Sequence, residues 1–178
     1  VTGGAGTLAI REALPADLPG VEQIYAAAFP QDDLRPLVRE LSSLGPRALA
    51  LVAVAGSALV GHAVFTTCGL AGQQDRIALL GPVAVAPERQ GQGIGSTLIR
   101  TGLDRLRKGG TRQVHVLGDP AYYRRFGFAR DDGVEPPYAL PAEWRAAWQL
   151  LSLRDDVVAL RGTLAVPPPW QRPDLWAP

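Results

Sequence analysis

The 178-residue chain is long enough for one domain with its own core, and its formal net charge of +1 argues against nucleic acid or an anionic membrane surface as a partner. At 47% hydrophobic and 20% charged it has the balance of a soluble globular protein. One cysteine, Cys68, excludes an internal disulfide framework and a Cys-based zinc site, and two histidines, His62 and His115, are too few for a histidine metal cluster. Lys108 is the only lysine among 18 basic residues, which together with the missing methionine reads as genomic base composition, not as a binding surface. No run approaches the about 18 apolar residues of a membrane span. Val1–Gly6 has no signal-peptide pattern and reads as a flexible lead-in, so the expectation is a cytoplasmic enzyme or binding domain.

In chain order, Leu8–Glu12 predicts a strand. Pro15 and Asp17 then open a helix whose apolar positions are Val21, Ile24, Tyr25 and Phe29. A second helix covers about 34–44 and stops at Gly45-Pro46. Leu49–Ala55 and Leu59–Thr67 form a hairpin about Gly56-Ser57, residues 69–75 a polar loop, and Ile77–Ala86 a near-continuous apolar strand. Ile94, Leu98, Ile99, Leu103 and Leu106 share one face of a helix over 93–108, ended by Gly109-Gly110. Gln113–Leu117 is a strand, 121–126 a short helix and 134–141 a Pro-rich loop. Trp148–Leu153 and Val157–Val166 resemble a last hairpin turned at Asp155-Asp156, and residues 167–178 a Pro/Trp-rich tail packed along the surface. The sum is an α/β fold around one mixed sheet, with 7–166 as a single domain and 1–6 and 167–178 outside it.

The segment Gln90-Gly91-Gln92-Gly93-Ile94-Gly95-Ser96 leads directly into a helix. Glycines at alternate positions let successive N–H groups point outward, and the helix end adds partial positive charge, a combination that binds phosphate. A plain Gly-rich strand-to-helix turn is the competing reading. A P-loop needs Gly-Lys-Ser/Thr, which is absent, and a dinucleotide fingerprint needs G-x-G-x-x-G near the first strand with an acid about 20 residues on. Neither fits.

The pattern Gln90-x-x-Gly93-x-Gly95 resembles the cofactor loop of the Gcn5-related N-acetyltransferase (GNAT) superfamily, and Tyr122-Tyr123-Arg124-Arg125-Phe126-Gly127-Phe128 resembles its downstream aromatic block. The string from Leu80 to Tyr123 is similar to the YhbS-type bacterial branch. The resemblance implies a mixed, mostly antiparallel sheet with splayed middle strands and helices on both faces. It implies acetyl-CoA as acyl donor, with its pyrophosphate on Gln90, Gly91, Gln92, Gly93, Ile94, Gly95 and Ser96. Its pantetheine would lie along the backbone of Val83, Ala84 and Val85, an amide near Val83 polarising the thioester carbonyl. Pro82 is expected where strand pairing has ended.

Tyr123 aligns with the tyrosine that faces the cofactor sulfur and serves as general acid, although an unperturbed tyrosine has a pKa about 1.5 above that of a thiol. An aromatic pair on a short helix is otherwise core. The strand carries no carboxylate, so the base is open. Asp119 is the leading candidate, against a helix cap before Pro120, with Glu135, Asp32, Asp33 and a water chain as alternatives. His62 reads as a core histidine. The implied reaction is acetyl transfer to a primary amine of a small molecule or protein. The competing function is an acyl-CoA-binding module without turnover, and the tail with Trp170 and Trp176 is a candidate homodimer contact.

Overall fold

In this computed structural model residues 7–71, 73–155 and 159–177 are described, with the backbone alone at 73–75. The elements are β1 (Leu8–Glu12), α1 (Leu18–Ala28), α2 (Arg35–Ser42), β2 (Ala48–Ala55), β3 (Ala58–Leu70) and β4 (Gln73–Val85). They continue as α3 (Ile94–Lys108), β5 (Gln113–Leu117), α4 (Pro120–Tyr123), β6 (Ala129–Arg130), β7 (Val134–Glu135), β8 (Trp148–Ser152) and β9 (Gly162–Ala165). No described helix is long and apolar enough to cross a membrane. The chain divides into two compact units.

The first unit comprises the residues up to Phe65 with Pro82–Gly102. β1 pairs antiparallel with β2, Leu8 opposite Ala55 and Glu12 opposite Leu51. The side chains of β3 alternate between two layers of helix. His62 meets Tyr25 of α1, whereas a Cβ on Gly61 would lie 3.0 Å from Leu98 of α3. The i, i+3, i+4 spacing of Val21, Ile24 and Tyr25 puts them on one buried face of α1, clustered with Val38, Val52 and Ala84. Helices therefore cover both faces of these strands.

The second unit comprises Thr66–Gly81 and the residues from Leu103 onward. Residues Ile77–Leu80 of β4 run parallel to Gln113–Val116 of β5. β5 pairs antiparallel with β8, and β8 with β6. The ladder between β4 and β5 ends at Leu80 opposite Val116, so Pro82 follows the last pair and its missing N–H costs no bond to β5.

Three sequence expectations fail here. The final hairpin does not form: β8 pairs with β5 and β6, and β9 pairs with β3 and β7. Its expected turn includes Asp156, which lies outside the described residues. The loop expected at 69–75 is largely strand, because Gly69 and Leu70 pair with Ala165 and Leu164 of β9 and so prolong β3. The indoles of the tail are core, not surface. Trp176 is only 2% exposed, its Nε1 donates to Trp170 O at 3.0 Å, and Trp170 Nε1 donates to Thr66 Oγ1 at 3.1 Å. Proline excludes these residues from a sheet ladder but leaves their indoles free to pack edge-on, Trp176 lying 5.9 Å from Trp148 and 6.0 Å from Trp170.

Candidate active site

In the first unit β4 ends in a tight turn. The Ala86 amide donates to Val60 O at 2.9 Å, and Pro87–Arg89 form one 3-10 turn closed by Arg89 N–H on Ala86 O at 2.8 Å. Gln90 then folds back, its Nε2 donating to Val85 O at 3.1 Å, which ties the loop to the strand it leaves. Gly91 and Gly93 have φ of +72° and +80°, left-handed values that other residues reach only with strain, and a Cβ on either would touch nothing within 4 Å. These glycines are needed for conformation, not for room.

The first amide of α3 to reach back is that of Thr97, to Gly93 O at 3.0 Å. The amides of Ile94, Gly95 and Ser96 have no backbone acceptor among the described residues, as expected for a helix N-terminus. Ile94 is buried and anchors the turn, while Gln90 to Gly93 are exposed. Gly61 sets how closely this end of α3 lies on β3, since a Cβ there would press on Leu98 at 3.0 Å and Ile94 at 3.1 Å. The sequence-predicted residues Val83–Val85 and Gln90–Ser96 thus lie along one turn from strand end to helix start, and the amides left without a backbone acceptor among the described residues are at its helix end.

The second unit holds Asp119 and Tyr123. The backbone of Gly118 is fixed twice, its N–H donating to Ala147 O at 3.0 Å and its carbonyl accepting Gln149 Nε2 at 3.0 Å. Asp119 follows as the N-cap of α4, its Oδ1 accepting the Ala121 amide at 2.9 Å, so the capping alternative holds for one of its two oxygens. Tyr123 packs against Gly118, where a Cβ would come within 2.3 Å of Tyr123 Cε2, and meets Tyr122 and Phe128 edge-on at 5.0 and 5.7 Å. Burial first, and the neighbouring Tyr122 second, hold the Tyr123 hydroxyl protonated far above the ordinary tyrosine range. Tyr122 differs: Arg125 sits over its ring at 4.2 Å.

One feature was missed by sequence reasoning. His115 is fully buried on β5, stacked on Trp148 at 5.1 Å with its Nδ1 3.5 Å from Asp131 Oδ2, and burial lowers its pKa to about 4. The alternation of Gln113-Val114-His115-Val116 points to burial of one face but does not name an aromatic partner 33 residues on. His62 is buried as expected, with Nδ1 3.0 Å from the Tyr25 hydroxyl, and burial lowers its pKa to about 4 also.

Residues 18–128 match the acetyltransferase (GNAT) family. The chain belongs to that family. It is 38% identical over 155 residues to the uncharacterized N-acetyltransferase YjhQ of Escherichia coli K12, spanning 83% of this chain and 85% of that one. To YhbS of the same strain it is 32% identical over 153 residues, covering 84% and 89%. The solved structure of Escherichia coli YhbS in complex with CoA superposes with a TM-score of 0.86 at 29% identity, covering 97% of this chain and 96% of that one. A GNAT acetyltransferase from Brucella melitensis in complex with acetyl-CoA gives 0.76 at 32% identity, covering 93% and 99%.

Proposed function

We propose that this chain moves an acetyl group from acetyl-CoA to a primary amine of a small molecule or a protein, by direct attack with both bound. The observation that carries the reading is the arc of amides between Gly91 and Ser96, opened by two left-handed glycines and tied to Val85 by Gln90. That donor set suits a pyrophosphate. Gln90, Gly91, Gln92, Gly93, Ile94, Gly95 and Ser96 would hold it, and the backbone of Val83, Ala84 and Val85 the pantetheine. The solved relatives of YhbS and Brucella type, bound to CoA and acetyl-CoA, support the same cosubstrate.

Bound acetyl-CoA supplies an acyl thioester already activated for attack. The chain's own part is threefold. The Val83 amide donates toward the thioester carbonyl as negative charge develops there. The Tyr123 hydroxyl, kept protonated by burial, donates to the departing sulfur. Because its pKa lies far above that of a thiol, it stabilises the thiolate by a hydrogen bond and releases its proton late. Asp119, exposed and with Oδ1 engaged as a cap, accepts the amine proton on Oδ2.

Purified protein with acetyl-CoA and a broad amine panel should release free thiol and yield an acetylated product. Failure to bind acetyl-CoA overturns the reading. Binding without product on any amine favours the non-catalytic acyl-CoA module, which the capping duty of Asp119 and the absence of a carboxylate from Ile77–Val85 also favour. Asp119→Asn tests the base directly, because Asn keeps the cap and removes only the basicity.

A further inference from the structure

The first unit contains a cavity of about 430 Å³ whose lining includes none of the residues given a role above. Its volume lies within the about 300–1,000 Å³ typical of small-molecule sites. Leu14 from the turn after β1, Leu18 and Val21 of α1, and Val38 and Leu41 of α2 make its apolar wall. His62 of β3 supplies a polar group, and it is only 3% exposed. At the rim, Leu14 is 57% exposed, a large apolar side chain left in water.

The hydrogen bonding of His62 is half complete. Nδ1 is engaged by the Tyr25 hydroxyl at 3.0 Å, and Nε2 has no protein partner among the described residues. Unlike His115, His62 lines the cavity. A neutral imidazole has one donor and one acceptor nitrogen, so Nε2 offers an N–H or a lone pair according to which role Tyr25 takes. A hydroxyl group answers either, since it both donates and accepts. A charged ligand finds no free counter-charge in the lining: the Asp17 carboxylate is already held by Arg11 at 2.7 and 2.9 Å and by the Leu14 amide at 2.7 Å, and Glu12 has interactions of its own.

We propose that this cavity binds a neutral, largely apolar molecule carrying a hydroxyl group, with the hydroxyl on His62 Nε2 and the apolar body covering Leu14. The site is tested without acetyl transfer. Calorimetric titration of the full chain should show 2-naphthol binding about two- to tenfold more tightly than naphthalene, the span of one net hydrogen bond. His62→Leu should abolish that difference and leave naphthalene binding unchanged. Leu14→Asp, at an exposed position that tolerates change, should weaken both ligands. In the unaltered protein, 2-naphthol should shift the His62 Nε2 resonance while naphthalene leaves it in place, a readout that needs no variant. Absence of binding by 2-naphthol, equal loss of both ligands in His62→Leu, or a shift at His115 instead of His62 overturns the proposal.

Discussion

The loop from Gln90 to Ser96 and the aromatic block from Tyr122 to Phe128 divide the candidate chemistry between backbone and side chain. In the loop, binding groups are amides, and the side chains matter through what they lack: Gly91 and Gly93 permit left-handed turns, and Gly61 lets α3 approach β3. In the block, and in the indole cluster of the same unit, ring contacts set the geometry. Tyr123 rests on Gly118, His115 on Trp148, and Trp148 on Trp176. A backbone site is vulnerable to an added Cβ, whereas a side-chain site is vulnerable to the loss of one atom.

The largest effect should follow loss of one oxygen. Tyr123→Phe keeps the ring on Gly118 and should lower turnover about 10²–10⁴-fold, the range for a general acid, with little change in acetyl-CoA affinity by calorimetry. Unchanged turnover on an accepted amine would return Tyr123 to the core and erase the contrast between the two regions. Trp176→Ala comes next. It removes a fully buried indole and its hydrogen bond to Trp170 O, and should cost about 3–5 kcal/mol in denaturant unfolding. A tail serving only as a surface contact between copies would show a change in sedimentation and none in stability.

The unequal legibility of the two regions in the sequence has the same cause. Glycine spacing reports backbone conformation directly, so the left-handed turn into α3 is legible in the sequence, and apolar periods locate α1, α2 and α3 to within a few residues of their ends. Ring packing depends on contacts distant in the chain, such as Trp170 with Thr66 across 104 positions, and no local period encodes them. The proline-rich tail was therefore read as surface and β9 as half of a hairpin, although its partner is the end of β3. Asp119 was legible as both cap and base, and its Ala121 bond identifies only the cap.

Acid should strike through the histidines. Both fall from the ordinary 6.5 to about 4 because burial disfavours the imidazolium, so the unfolded chain binds more protons between those values. Stability should be fully present above about pH 6.5 and fall by a few kcal/mol as pH drops toward 4, measured by urea unfolding across that window. His62→Leu and His115→Leu should each remove about half of the slope, one proton's share; an unaltered slope in both would remove burial as the cause.

In the loop, Gly93→Ala should weaken acetyl-CoA binding about tenfold, since a left-handed alanine costs about 1–2 kcal/mol, without a matching loss of turnover at saturation.

The smallest expected effect discriminates most finely between a loop made of amides and one made of side chains. The Gln90 side chain ties the arc to β4 by donating Nε2 to Val85 O at 3.1 Å, and the pair is exposed, so its net worth lies at the low end of about 0.5–1.5 kcal/mol. Gln90→Ala should therefore weaken acetyl-CoA by about two- to fivefold, through a loop less firmly tied to β4. Gln92 provides the internal control. Its Nε2 reaches Glu88 O at 3.4 Å, a longer bond within the turn itself, and Gln92→Ala should cost less. If Gln92→Ala proved the more damaging, the side chain at 92 would be touching the ligand, and the loop would no longer be a site built from backbone alone. Gln90→Glu sharpens the same point, because a carboxylate facing Val85 O cannot donate and also sets a negative charge beside the anion cradle. It should cost more than Gln90→Ala, and the excess should shrink as salt is raised.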